Sequence, residues 1–121
     1  MSLERKLIEY CAPTLASLKT ANLFNHSFSS EEELEKQLAE LNSLLGKKGI
    51  FLQVLFKKSN RALIYVFRKS RLQAELNRPA VRRFLSKYGY EHMDVDYGLD
   101  RLKERLGEDG AFPHEIGIFL G

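Results

Sequence analysis

The clearest pattern in the chain is a pair of apolar runs separated by four polar residues. Residues 50–56 and 61–67 are rich in β-branched and aromatic side chains, and residues 57–60 between them read Lys-Lys-Ser-Asn. Two such runs around a short polar segment are typical of a β-hairpin. Because both runs are apolar at consecutive positions, we expect strands that are covered on both faces, or covered on one face and paired with a partner.

Helical periodicity precedes the hairpin. The strongest helix prediction covers residues 30–45, where Ser30 and Glu33 form a capping-box pair and leucines recur on one face up to Gly46. A shorter amphipathic pattern capped by Ser2 predicts a helix over the first ten residues. Pro13 can open another short helix, because proline suits the first helical position. Residues 19–28 show only a weak alternation, which favours a strand.

Further helices are predicted after the hairpin. Ser70 and Gln73 form a second capping box, and Pro79 begins the next helical pattern. Residues 91–96 are a polar connector, and leucines at helical spacing then predict a helix over residues 99–106.

The last segment, residues 111–121, has two interpretations. Pro113 at a first helical position and Glu115 in the first turn favour a helix, and the alternative is a buried strand. The segment ends in apolar residues without a polar tail, whereas the ends of domains are usually polar and exposed. Either it docks into the core, or the natural chain continues and this one is truncated at the C-terminus.

Length and composition fit these elements. A chain of 121 residues with 44% hydrophobic residues is the size of one ordinary globular domain. We therefore predict a single α+β domain over residues 1–121, in which a small antiparallel sheet built around the central hairpin packs with four to six short helices. No apolar run approaches the ~20 residues of a membrane span, and the charged N-terminus does not resemble a signal peptide. A lone Cys11 suits a reducing compartment, so we expect a cytoplasmic protein.

Charge is unevenly distributed along the chain. Residues 47–87 contain twelve Lys or Arg and a single acid, Glu75, whereas the rest of the chain is acidic and the total is only +3. Clustered cations attract phosphate and carboxylate groups, so this block predicts non-catalytic binding of an anionic partner: a nucleic acid, a nucleotide or an acidic protein. The predicted anion-binding residues are Lys57, Lys58, Arg61, Arg68, Arg71, Arg82 and Arg83.

A structural interpretation of the same block stays open. The cations can face the acidic parts of the chain within one fold, or across an oligomer, where exposed charges pair loosely. Hairpin aromatics can stack nucleobases if one sheet face is exposed, although such residues more often belong to the core. These aromatics are Phe51, Phe56, Tyr65 and Phe67.

Two alternatives compete with anion binding. The first is a thiol-dependent enzyme, in which a Cys11 thiolate at a helix start uses His114 as its base and Glu115 orients the imidazole. A lone cysteine on an apolar helix face is, however, more often a small buried side chain. The second is a structural module that self-associates through the hairpin edge.

The sequence suggests no metal site and no cofactor. His26, His92 and His114 are scattered, and one cysteine cannot complete a zinc-ligand set. The segment 46–49, Gly-Lys-Lys-Gly, is too short for a phosphate-binding loop and is typical of a turn that ends a helix.

Two segments carry a resemblance. Residues 7–24, which include Tyr10-Cys11-Ala12-Pro13, and residues 112–121, Phe-Pro-His-Glu-Ile-Gly-Ile-Phe-Leu-Gly, resemble the distinctive segments of a family of small uncharacterised bacterial proteins. That family is catalogued as domain of unknown function number thirty-seven ninety-three, mostly from anaerobic Gram-positive bacteria. The resemblance implies no established activity, cofactor or partner. It also implies that members continue past the second segment, which favours a shortened or truncated chain here.

Overall fold

A computed structural model of the protein describes residues 2–107 and 111–121. The predicted α+β class is confirmed: three strands and seven helices occur in these residues, against the four to six helices expected. In chain order they are α1 (Leu3–Tyr10), α2 (Ala12–Leu15), β1 (Ala21–Ser27), α3 (Glu31–Gly46), β2 (Ile50–Lys58), β3 (Arg61–Arg68), α4 (Lys69–Leu76), α5 (Pro79–Ser86), α6 (Val95–Leu106) and α7 (Ile116–Leu120).

The hairpin strands belong to a three-stranded antiparallel sheet in the order β1-β3-β2. The weak strand prediction over residues 19–28 is confirmed, because β1 pairs with the free edge of β3. Strand β3 is therefore central, and every residue from Ala62 to Phe67 is buried. Its continuous apolar run reflects burial on both faces, as the pattern indicated.

Helices cover both faces of the sheet. On one face, called here the α3 face, Ala62, Ile64 and Val66 pack in a cluster with residues of α1 and α3. On the other, the α6 face, Leu63, Tyr65 and Phe67 pack with residues of α4, α5, α6 and α7. Each large apolar side chain fully buried in these layers contributes roughly 1.5–3 kcal/mol, so the two clusters account for most of the fold's driving force.

The hairpin turn is tighter than the polar segment suggests. Only Ser59 and Asn60 lie between the strands, with Ser59 at a φ of 55°, and Lys57 and Lys58 continue β2. A β-bulge between Val54 and Phe56 inserts one extra residue. Because side chains alternate between faces, this bulge determines which lysine points to which side of the sheet.

The predicted capping box at Ser70 and Gln73 is wrong. Helix α4 starts at Lys69, and Arg68 precedes it with no side-chain capping bond. The Gln73 amide instead donates to the Met93 carbonyl at 2.6 Å and accepts from the Val95 N–H at 3.1 Å. The Gln73 side chain therefore binds backbone groups about twenty residues further along the chain and does not cap its own helix.

The C-terminal segment docks into the core. Phe119 is fully buried, and the Tyr65 hydroxyl donates to its carbonyl oxygen. This segment forms a helix, as predicted, but the helix starts at Ile116 rather than at Pro113. Helix α6 likewise begins earlier than predicted, because Asp94 caps it by accepting from the Tyr97 N–H at 3.1 Å.

Candidate anion-binding site

The structure divides the seven predicted anion-binding residues into three groups. Arg61 begins β3 and Arg68 ends it, so the two lie roughly 23 Å apart along an extended strand at ~3.3 Å per residue. Lys57 and Lys58 lie beside Arg61, Arg71 follows Arg68 on α4, and Arg82 and Arg83 belong to α5. The seven side chains are therefore not gathered in one place.

Arg68 and Arg71 are engaged with the backbone at the end of α2. The Arg68 Nε donates to the Thr14 carbonyl at 2.7 Å, and its Nη2 donates to the Leu15 carbonyl at 2.8 Å. Arg71 donates from Nη1 to the Ser17 carbonyl. The carbonyls at a helix C-terminus lack partners within the helix, and charged donors satisfy them well. These two arginines hold the N-terminal segment against the sheet.

The hairpin cations are separated by the pleat of the sheet. Lys57 pairs with Ala62 in the register, so it belongs to the α3 face, where its Nζ lies 3.5 Å from a carboxylate oxygen of Glu31. Lys58 and Arg61 are register partners on the α6 face. Both are exposed, and within residues 2–107 and 111–121 neither has an ion-pair partner. Lys58 and Arg61 are therefore adjacent, exposed cations without ion-pair partners among the described residues.

Lys58 and Arg61 flank a surface depression of about 290 Å³, which we call the hairpin-end depression. Half-buried Phe56 and buried Leu63 form its apolar part, and none of its lining residues is acidic. Asn25, Ser59 and Asn60 add uncharged polar residues to the lining. A depression of this kind suits a ligand that carries both an anionic group and an apolar, hydrogen-bonding group.

The α5 cations form a separate surface. Arg82 and Arg83 are exposed, whereas Val81 and Leu85 on the same helix are buried in the α6-face cluster. No residue of α5 lines the hairpin-end depression. These two arginines provide a charge-matched reference for the pair at the hairpin.

The structure does not bring Cys11 and His114 together. Cys11 is 0% exposed within the α3-face cluster, and burial raises the pKa of its thiol to about 11. His114 is exposed on the opposite side of the sheet, with its ring centroid 6.3 Å from that of Tyr88. A buried neutral thiol without an adjacent base is a poor nucleophile, so this arrangement does not favour thiol chemistry.

Glu115 has a partner other than His114. It is 0% exposed, and its carboxylate accepts from Arg105 Nε at 2.9 Å, from Arg105 Nη2 at 3.1 Å and from the Tyr90 hydroxyl at 2.9 Å. Burial alone would raise the pKa of Glu115, but these hydrogen bonds and the Arg105 charge outweigh it and lower the pKa. Glu115 immediately precedes α7, so its predicted place at a helix start is confirmed, but its carboxylate pairs with Arg105 and not with the His114 imidazole.

Sequence reasoning missed the polar residues that complete the depression. Asn25 lies near the end of β1 and Asn60 in the hairpin turn, so each looks like an ordinary polar residue in the sequence. Strand pairing brings them together, since Asn25 is the register partner of Leu63. The one available indication was the weak alternation over residues 19–28, which predicted the strand but not its partner.

Comparison with known proteins supports a family assignment. Within the described ranges, no three His, Cys, Asp or Glu residues are grouped as a metal site, and no helix has the length and apolarity to cross a membrane. No curated protein and no solved structure gives a significant match. A family described as "Protein of unknown function (DUF3793)" matches residues 7–121, which is nearly the whole chain. The chain therefore belongs to the DUF3793 family of proteins of unknown function.

Proposed function

We propose that this protein binds, without catalysis, a nucleotide unit at the hairpin-end depression. Lys58 and Arg61 bind the phosphate, and the base lies against Phe56. One observation carries the proposal: two cations without ion-pair partners among the described residues flank an apolar depression that no carboxylate lines. An Arg fork beside a Lys is a common arrangement for phosphate, because guanidinium binds two oxygens at once.

The apolar and amide groups favour a nucleotide over an acidic protein. A carboxylate-rich surface requires only positive charge, whereas this depression also contains an aromatic ring and the amides of Asn25 and Asn60. Every nucleobase has a π-face that stacks on aromatic side chains, and amides can hydrogen-bond to base edges. A free nucleotide and a single-stranded nucleic acid present the same unit, so AMP and a single-stranded oligonucleotide both serve as probes of the site.

The other functions are less well supported. Thiol catalysis lacks its base, since Cys11 and His114 belong to layers on opposite faces of the sheet. Self-association through the β2 edge is opposed by the bulge after Val54 and by the two lysines at the strand end, which are features that protect edges from pairing. A cytoplasmic location, suggested by the lone cysteine, stays part of the proposal.

A charge-matched pair of double variants tests the site. Fluorescence anisotropy with a labelled single-stranded oligoadenylate compares the wild type with Lys58→Ala/Arg61→Ala and with Arg82→Ala/Arg83→Ala. Both variants lose two exposed cations. We expect about a tenfold or greater loss of affinity for the first, since each phosphate bond to a charged donor contributes about 1.5–3 kcal/mol. The second variant should bind with nearly the wild-type Kd. Equal losses in both variants would contradict a hairpin-end site.

Competitors test the ligand class. Unlabelled AMP should displace the oligonucleotide at least about fivefold more effectively than ribose 5-phosphate, because stacking of a base contributes about 1–3 kcal/mol. Phe56→Leu should reduce this difference while leaving ribose 5-phosphate unaffected. Displacement by poly-L-glutamate at the same charge concentration as the oligonucleotide would show that charge alone is recognised, which would overturn the nucleotide assignment.

A further inference from the structure

A second cavity lies on the α3 face, near the end of β1. It is open to solvent and has a volume of about 180 Å³, and residues at the starts of α1 and α3 and at the end of β1 line it. We call it the His26 cavity. The polar and aromatic residues that matter for its chemistry are Ser2, His26, Phe28, Ser30, Glu33 and Gln37.

His26 is the unusual residue of this cavity. It is only 5% exposed, and its buried Nδ1 has no hydrogen-bond partner within the described parts of the chain. Buried polar groups are normally paired, and leaving one unpaired is unfavourable for the folded state. Burial lowers the pKa of His26, and the positive charge of Lys6 lowers it further. The ring is therefore neutral near pH 7, with one nitrogen able to donate and the other able to accept.

The surrounding groups offer further donors and acceptors. The Ser2 and Ser30 hydroxyl oxygens each accept from a backbone N–H three residues ahead at 3.2 Å, which leaves each O–H free to donate. The Glu33 carboxylate can accept, and the Gln37 amide can do both. Half-buried Phe28 adds an aromatic wall. Many alternating donors and acceptors beside one aromatic ring suit a ligand with several hydroxyl groups.

The charges near the cavity favour an uncharged ligand. Two helix starts would ordinarily attract an anion. Here Glu33 lines the cavity and Glu31 and Glu32 share its helical turn, so an anion is repelled. A cation is opposed by Lys6, whose charge already acts on the His26 imidazole and whose Nζ donates to the Asn25 carbonyl at 3.0 Å.

From these observations we infer that the His26 cavity binds a neutral, polyhydroxylated ligand of single-ring size, such as one pyranose unit. Its volume of about 180 Å³ is smaller than the 290 Å³ of the hairpin-end depression, so a ligand of about one ring suits it better than a nucleotide. His26, Glu33 and Gln37 bind the hydroxyl groups, and the apolar face of the ring lies on Phe28. This inference is independent of the nucleotide proposal, because the two cavities share no lining residue.

NMR titration of the ¹⁵N-labelled protein tests the inference. The probes are D-glucose, D-galactose, D-mannose and N-acetyl-D-glucosamine, with glucosamine and glucuronate as cationic and anionic counterparts. At least one neutral sugar should give saturable amide shifts within residues 26–37, with a Kd of about 1 mM or tighter. The charged counterparts should bind at least about tenfold more weakly than that sugar.

Three variants locate the binding. His26→Ala removes a hydrogen-bonding group and should weaken binding of the sugar by about tenfold or more. Glu33→Gln exchanges a charged acceptor for a neutral amide and should weaken it severalfold, since hydrogen bonds to charged groups are about twice as strong as neutral ones. Glu33 is exposed, so its variant remains informative even if the first one unfolds. His92→Ala changes an exposed histidine outside the cavity and should bind like the wild type. Absence of saturable shifts with all four neutral sugars, or shifts that Glu33→Gln leaves unchanged, would overturn the inference.

Discussion

The two ends of the central strand carry similar charges but use them differently. At the end of β3, Arg68 donates to two backbone carbonyls of α2, and nearby Arg71 donates to a third at Ser17. At the start of β3, Arg61 and its neighbour Lys58 have no such partners among the described residues. The difference comes from the neighbouring backbone, because a helix ends beside one group of cations and a depression lies beside the other. A cation in the sequence is therefore a candidate for ligand binding only where the fold leaves it open.

The largest loss of stability is expected when the buried ion pair between Arg105 and Glu115 is broken. Arg105→Met leaves the buried Glu115 carboxylate without its charged donor, and removal of one partner of a buried pair costs about 3–5 kcal/mol. Urea denaturation measures the loss. Lys103→Met on the same helix removes only a 3.9 Å contact with Asp100 and should cost less than about 1 kcal/mol. Similar losses of stability in both variants would show that the buried pair contributes no more to stability than the exposed contact.

The next largest effect should separate the two ends of β3. Arg68→Ala removes two charge-assisted hydrogen bonds to carbonyls, so we expect about 3 kcal/mol of destabilisation and unchanged affinity for the oligonucleotide at temperatures where the variant is folded. Arg61→Ala should change the stability by about 0.5 kcal/mol or less and weaken the binding. Denaturation and anisotropy of the two variants provide the test. A loss of affinity without loss of stability in Arg68→Ala would reverse the assignment.

The Lys57–Glu31 pair sharpens the comparison within the hairpin. The pair is exposed and its atoms lie 3.5 Å apart, so Glu31→Gln should cost only about 0.2–1 kcal/mol. Because Lys57 is on the α3 face, releasing it should leave the affinity for AMP at the other face unchanged. Competition assays on this variant check the point. A severalfold gain in AMP affinity would mean that Lys57 reaches the site after all.

The smallest expected effect is the contribution of His26 to the pH dependence of stability. Its folded-state pKa lies below that of the unfolded chain, mainly because of burial and further because of Lys6, with Glu33 the acidic residue lining the same cavity. The unfolded state therefore takes up a proton first, and stability decreases as the pH falls from about 7.5 to about 5.5, through the ordinary histidine pKa of about 6.5. Urea midpoints of the wild type and of His26→Gln measure it. The variant should lose part of the decrease, whereas exposed His92→Gln should retain it.

Local patterns predicted the elements well and the contacts poorly. The apolar runs of the hairpin and the capped leucine pattern after Ser30 survive in the structure, because periodicity and capping act over a few residues. The partners of Arg68 and Gln73 lie about fifty and twenty residues away, so no local pattern contains them. The structure likewise places Cys11 and His114 on opposite faces of the sheet, which no local pattern could indicate. Sequence analysis predicted Lys58 and Arg61 among seven anion-binding residues, but only the fold distinguished these exposed cations from the arginines that bind backbone carbonyls.

NMR mapping of the AMP site is the most direct test of the central proposal. Titration of ¹⁵N-labelled protein with AMP should shift amides at Asn25 and over residues 56–63, around the hairpin-end depression. The amides around Ser17 and on α5 should stay in place, because the cations there are engaged with the backbone or lie outside the depression. Shifts concentrated around Arg82 and Arg83, or the absence of saturable shifts anywhere, would contradict the proposal.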